Sequence, residues 1–277
     1  MPLTSLVDYF NDRIIHEQGL ADPPLEIRDG RVEGHFGDMR LATVFDPIRR
    51  ADKPELIAGH DASLQAYRPD QRSTLAEQVF AGTDAAHVVS LDRLCRTIHM
   101  LNYLPDAHQE GSLFLTVHPR HVLGVKRDHG AYFEEVIFRC GLTARRVVIT
   151  VPVTPVYDRQ LNILLQGLRN YQQRGYSTAI RFDDSATEGF LERYFIEFLY
   201  RITPDFVRIP KALFASLVPD ESSNRRTTNL LSVIHSLDTE LLLEGIDEAR
   251  DADLAKLLRA DLIKGPFLED GQERKIA

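Results

Sequence analysis

Residues 147–182 read VVITVPVTPVYDRQLNILLQGLRNYQQRGYSTAIRF, and this stretch decides the fold. Val147–Val153 is an apolar run of strand length, rich in β-branched residues. Leu161–Gln173 follows with apolar residues at helical spacing, and Thr178–Phe182 returns to strand character after Gly175. A strand–helix–strand unit of this kind makes a parallel pair with its helix packed outside. The alternation continues in both directions. Short apolar runs at Leu41–Phe45, Glu55–Gly59, Leu113–Val117, Phe206–Ile209, Leu241–Leu243 and Leu262–Ile263 interleave with helical patterns. Those patterns lie at Leu91–Leu104, Tyr132–Phe138, Phe190–Ile202, Leu230–Leu237 and Asp251–Arg259. About eight strands, with one hairpin ahead of the alternation, predict an α/β fold in the form of a TIM-like (β/α)8 barrel.

A chain of 277 residues, 43% of them hydrophobic, can bury such a core without disulfide or metal staples. No apolar run approaches the roughly 18 residues that span a bilayer. Asp8, Asp12 and Arg13 exclude a leader-like opening. Cys95 and Cys140 are too few for a disulfide framework and lack metal-ligand spacing, which points to a reducing cytoplasm. Lys+Arg 33 against Asp+Glu 41 gives a net charge of −8, which argues against a nucleic-acid partner. The first 40 residues differ in pattern from the rest. Leu3, Leu6, Val7, Phe10 and Ile14 line one helical face, Asp22-Pro23-Pro24 ends it, and LEIRDGRVEGHF (25–36) centres a hairpin turn on Asp29-Gly30. The expected organisation is an N-terminal helix/hairpin cap over 1–40, a barrel over 41–268 and a flexible polar tail over 269–277.

In a parallel barrel the carboxyl ends of the strands form the functional mouth. Those positions hold Asp46, Asp61, His118, Thr150 or Val151, Asp183 with Asp184, Arg208, Glu244 with Asp247, and Lys264. Carboxylates from separate strands meeting on one rim suit a divalent cation held by oxygens. On the other reading, several of them are solvated loop residues. His118-Pro-Arg-His121 reads as a loop rather than a metal pair, and the polar run 219–226 as an exposed loop.

The order of the motifs resembles the EAL-domain family. The runs are IRFDD (180–184), PDFVRIPK (204–211), LLLEGIDE (241–248) and DLIKGPFL (261–268), preceded by FDPI (45–48), GHDASLQ (59–65), LTVHP (115–119) and VVITV (147–151). In the family they look like a double Asp before Phe-Gly, then DYLKID, AEGVE and VQGY, with YQPI, GxEALLR, LSVN and LEITE upstream. The resemblance covers about residues 40–268 and implies hydrolysis of cyclic di-GMP on an eight-stranded barrel whose first strand runs against the others. It implies metal ligands at Asp61, His118, Val148 and Asp183, and a loop-bracing position at Val151. It further implies active-site positions at Asp184, Arg208, Glu244, Asp247 and Lys264, and nucleotide-gripping positions at Asp46 and Gln65. Only Asp183, Asp184 and Glu244 keep the family residue. The segment between Val148 and Arg208 is longer than the family pattern, and a register fixed by Gly175 instead places Arg181 and Phe182 at the double-Asp positions.

The departures have physical consequences. Val148 cannot ligate a hard cation, Asp61 is one methylene shorter than Glu, and imidazole at His118 suits Mg²⁺ poorly. Gln65 lacks the bidentate fork of an Arg, and Asp46 repels a dianionic ligand. The expectation is therefore a degenerate EAL domain that is not an enzyme, has no cofactor, and regulates through a protein partner. Cyclic di-GMP binding is expected to be weak or absent, and a homodimer is compatible with the sequence. The alternatives are a non-hydrolysing cyclic di-GMP receptor, or a phosphodiesterase using Mg²⁺ or Mn²⁺ in a rebuilt Asp61–His118–Asp183 site. Phe190, Leu191, Tyr194, Phe195, Phe198, Leu199 and Ile202 share one helical face, which is either core-facing or part of an interface.

Overall fold

The computed structural model describes residues 2–125, 130–182, 197, 199–214 and 231–269. Its strands are β1 (Leu25–Arg28), β2 (Arg31–Phe36), β3 (Met39–Arg50), β4 (Ile57–Tyr67), β5 (Ser73–Leu75), β6 (Ser112–Thr116), β7 (Val147–Val153), β8 (Ser177–Phe182), β9 (Phe206–Pro210), β10 (Glu240–Glu244) and β11 (Leu262–Lys264). Its helices are α1 (Leu3–Gln18), α2 (Ala76–Gly82), α3 (Val88–Asn102), α4 (Pro119–Gly124), α5 (Ala131–Arg139), α6 (Leu161–Gln173), α7 (Lys211–Phe214) and α8 (Ala249–Leu257). The pairing order β3-β4-β6-β7-β8-β9-β10-β11 returns to β3 and closes an eight-stranded barrel. All neighbours in it are parallel except β3, which is antiparallel to both β4 and β11. The expected α/β barrel is present, and its first strand runs against the others.

β7 shows why the central strands read as unbroken apolar runs: six of its seven residues are buried, because both faces of the sheet are covered. Inside, Ile48, Phe114, Val148, Ala179, Leu242 and Leu262 form one apolar layer. Outside, Val147, Ile149, Val151 and Val153 of the same strand join the larger core under the helices. The two-residue period of a strand sends alternate side chains to these two cores. Gly59 of β4 lies opposite Ser112 of β6, and a Cβ there would sit 2.3 Å from the Ser112 carbonyl oxygen.

The first two barrel strands are longer than the apolar runs Leu41–Phe45 and Glu55–Gly59 suggest. Pairing from Arg40↔Tyr67 down to Arg49↔Ile57 carries polar residues, Asp46 opposite Asp61 among them, through a continuous ladder. Beyond the barrel β3 continues into β2 and β1, while β4 continues into β5. The expected hairpin turn is present, with φ of 52° at Asp29 and 79° at Gly30. Residue 40, where the sequence reading ends the cap, is the second residue of β3.

Two asparagines fasten this extension to helices. The Asn102 side chain of α3 accepts from Val32 N and donates to Val32 O, both at 2.8 Å. Asn11 of α1 does the same for Leu25 at 2.9 Å on each side. α1 is held further by Arg13, which donates to Glu135 at 2.9 Å and lies 4.2 Å from the centre of the Tyr132 ring. Among the described residues, no helix is long and apolar enough to cross a membrane.

Gly59→Ala must push β4 from β6 and is expected to lower stability by at least about 2 kcal/mol. Gly82→Ala, at the open end of α2, should stay within about 1 kcal/mol of the parent. Urea midpoints of the two variants test this; equal midpoints would count against the close β4–β6 approach.

Candidate functional site

Strand parity builds the mouth. Phe206 and Arg208 of β9 alternate with Val207 and Ile209, so Arg208 stands one layer above the apolar floor that Phe114, Val148 and Leu242 provide. Asp61 on β4, Thr150 on β7, Arg181 on β8, Glu244 on β10 and Lys264 on β11 reach the same level from five other strands.

The Arg208 guanidinium, about 1% exposed, organises them. Its Nη1 donates to Asp61 Oδ1 at 2.9 Å and its Nη2 to Asp61 Oδ2 at 2.6 Å, a bidentate pair. Nε and Nη2 both contact Glu244 Oε1, and Nη1 also donates to Thr150 Oγ1 at 3.2 Å. The Phe114 ring lies 5.6 Å from the guanidinium carbon. The remaining Glu244 oxygen accepts from Arg181 Nε at 2.9 Å. Lys264 Nζ donates to Asp61 Oδ2 and lies 3.6 Å from Asp46 Oδ2, between two carboxylates that face each other across the β3–β4 ladder. Among the described residues of the mouth, three cations therefore balance three anions.

Burial by itself pushes the Asp61 carboxyl up, but Arg208 and Lys264 overcome that and hold it well below the usual carboxylate range. Glu244 is also held low, because Arg208, Arg181 and Lys264 outweigh its burial. Arg208 and Lys264 are correspondingly raised despite desolvation, chiefly by Asp61 and Glu244.

Other sequence-derived positions fall elsewhere. Val148 is in the apolar floor, whereas Val151 faces the outer core, because strand parity pairs Val148 with Thr150. Asp247 is exposed and accepts from Lys211 at 3.0 Å beside Asp251. His118 is not among the groups bonded to Arg208. Its Nδ1 accepts from Arg120 N at 3.1 Å to cap α4, and its ring stacks on Phe80 at 4.6 Å. The segment read as a loop around His121 is thus the start of α4, with Pro119 at its first position. Gln65 lies on the mouth face of β4, four residues beyond Asp61, and its buried Oε1 has no hydrogen-bond partner. Asp183, Asp184, most of the aromatic helical face at 190–202 and the run 219–226 lie outside the described residues.

A second buried cluster escaped the sequence reading. Asp92 accepts from Arg96, from the His121 ring at 3.1 Å and from His118 N at 2.8 Å, while Arg96 reaches the Tyr171 hydroxyl at 3.3 Å and lies over Phe133 at 3.9 Å. It ties α3, α4, α5 and α6 together. Asp92 and Arg96 stand four apart on the apolar face of a helix, which is the signal that could have revealed a paired charge there.

The EAL domain family model matches residues 31–270. This chain belongs to the EAL-domain family. Solved EAL structures share its fold. The EAL enzyme Bd1971 in its cAMP-bound form superposes with a TM-score of 0.65 at 16% identity, over 82% of this chain and 62% of that one. A standalone versatile EAL protein from Vibrio cholerae O395 in its c-di-GMP-bound form gives 0.64 at 15%, over 82% and 90%. BlrP1 from Klebsiella pneumoniae, in a manganese and cyclic di-GMP complex, gives 0.66 at 15%, over 85% and 57%. This EAL domain thus spans less than two thirds of the length of two of these relatives, and at such identities the likeness is one of fold. No curated protein matches the sequence.

In this EAL domain the described carboxylates Asp61 and Glu244 are not free to hold a hard divalent cation, and Asp183 and Asp184 lie outside the described residues. Mg²⁺ and Mn²⁺ take about six ligands, mostly oxygens. Among the described residues no three His, Cys, Asp or Glu groups are gathered to hold a metal. Asp61 and Glu244, the two carboxylates that do converge, have their oxygens engaged by guanidinium and ammonium groups.

Removing the guanidinium leaves two buried carboxylates short of partners, so Arg208→Met should cost about 3–5 kcal/mol at pH 7. Low native-state carboxyl pKa values give stability that is full above the unfolded value near 4 and lost as pH falls through the native values. In the variant these carboxyls titrate higher, so its native state binds protons sooner and its deficit narrows on acidification. Urea denaturation at pH 7 and pH 4.5 checks the sign; a deficit that widens at the lower pH would contradict the charge balance described.

Proposed function

We propose that this EAL domain does not hydrolyse cyclic di-GMP and acts as a regulatory protein-binding module in, or derived from, cyclic di-GMP signalling. The observation that supports this is Arg208 seated bidentately on Asp61 and bonded to Glu244. Metal-assisted hydrolysis needs oxygen donors left free for the ion and a water held in line. Among the described residues, Arg208, Arg181 and Lys264 engage the oxygens of Asp61 and Glu244 instead. Phosphate recognition is disfavoured by the same arrangement, since the guanidinium that could fork a phosphate is buried against carboxylates and the described residues of the mouth carry no surplus positive charge. A non-catalytic domain contributes to signalling through contact with another macromolecule, and the net charge of −8 favours a protein over nucleic acid.

Purified protein incubated with Mg²⁺ or Mn²⁺ and cyclic di-GMP is expected to release no linear dinucleotide above a protein-free blank. Turnover that Asp61→Ala abolishes would overturn the reading. Calorimetry with cyclic di-GMP at micromolar concentration is expected to be flat, and a saturable heat lost in Arg181→Ala would favour a non-hydrolysing receptor.

A further inference from the structure

We propose that Arg208 is a built-in structural cation. Its guanidinium occupies a receptor formed by Asp61, Glu244 and Thr150 and ties the mouth together from within, so that the barrel needs no bound ion or nucleotide to close. The proposal deepens the non-catalytic reading of the same site, but it concerns what holds the strands and can fail separately.

The geometry is that of a binding site with its ligand attached by a tether. Both Asp61 oxygens meet the two terminal nitrogens, Glu244 takes the Nε side, and Thr150 takes a further Nη1 contact. The Phe114 ring walls the site below. These partners come from β4, β10, β7 and β6, so one planar group on β9 cross-links four other strands, of which only β10 is its neighbour in the sheet. A point-charge ammonium can meet one oxygen from each carboxylate but cannot fill the fork. Lys264 and Arg181 close the outer side by engaging the oxygens that Arg208 shares or leaves. The ligand class that the receptor recognises is therefore a monosubstituted guanidinium.

Truncation and chemical rescue test this. In Arg208→Ala the receptor is vacated, and millimolar ethylguanidinium should raise its thermal midpoint saturably, by about 2–4 °C. Ethylammonium at equal ionic strength should raise it far less, and the parent protein should respond to neither. An equal response to both cations, or an equal response of parent and variant, would overturn the proposal. Should Arg208→Ala not fold, the charge-neutral pair Asp61→Asn with Arg208→Met decides, since it leaves Glu244 with Arg181 and Asp46 with Lys264: recovery of a cooperative transition supports a receptor left uncompensated, and failure to recover rejects it. Mg²⁺ and EDTA should leave the parent's midpoint unchanged; a shift with either would show that closure depends on a bound metal and would also overturn the proposal. Hydrolysis of cyclic di-GMP is scored separately, so activity with normal rescue would sink only the non-catalytic reading.

Discussion

A buried guanidinium with nowhere to send its charge except two carboxylates is the constraint on which the rest of the mouth depends. Isolated in the barrel, Arg208, Asp61 and Glu244 would each be prohibitive to desolvate. Together they satisfy one another, and the arrangement dictates which neighbours can exist. Asp46 and Asp61, opposed across an antiparallel ladder, are tolerable because Lys264 stands between them. Arg181 can enter from β8 because Glu244 retains one oxygen for it. Beneath this polar layer the floor is wholly apolar, so no water need follow the charges inward.

The long β3–β4 hairpin connects this chemistry to the N-terminal region. One half of each strand belongs to the barrel, and the other half carries the small sheet onto which α1 and α3 fold. Asp46 and Asp61 sit in the barrel half, so a distortion of the hairpin is transmitted directly to two of the three anions. The Asp92–Arg96–His121 cluster is a separate matter. It lies among the outer helices and holds α4 against α3 without touching the mouth groups.

What the sequence made legible follows from burial. β7 and α6 were readable to the residue, because one is apolar on both faces and the other is apolar along one stripe. The apolar runs of β3 and β4 are shorter than the strands, since Arg49, His60, Asp61 and Gln65 interrupt the apolar pattern although the ladder runs through them. Residues pointing into a barrel mouth are polar for the site's sake, so hydropathy ends a strand before hydrogen bonding does. The end of β7 offers Thr150 or Val151 to the mouth and the resemblance points to Val151, yet alternation from Val148 assigns that direction to Thr150. The sequence marks Arg208 as a changed position, but its partner Asp61 lies 147 residues away and only closure of the barrel brings them together. Arg181 entered only through the alternative register, and in the fold it is the β8 side chain bonded to Glu244.

The side chain of Asn11 has a consequence for the protein's behaviour in concentrated solution. β1 is the outermost strand of the sheet, where unpaired main-chain groups would recruit another chain. Asn11 fills the N–H and carbonyl of Leu25 as a neighbouring strand would, and Glu26 and Arg28 place opposite charges along the rest of this four-residue edge. A self-assembling fibril would have to evict an amide from within its own molecule before the first intermolecular rung could form.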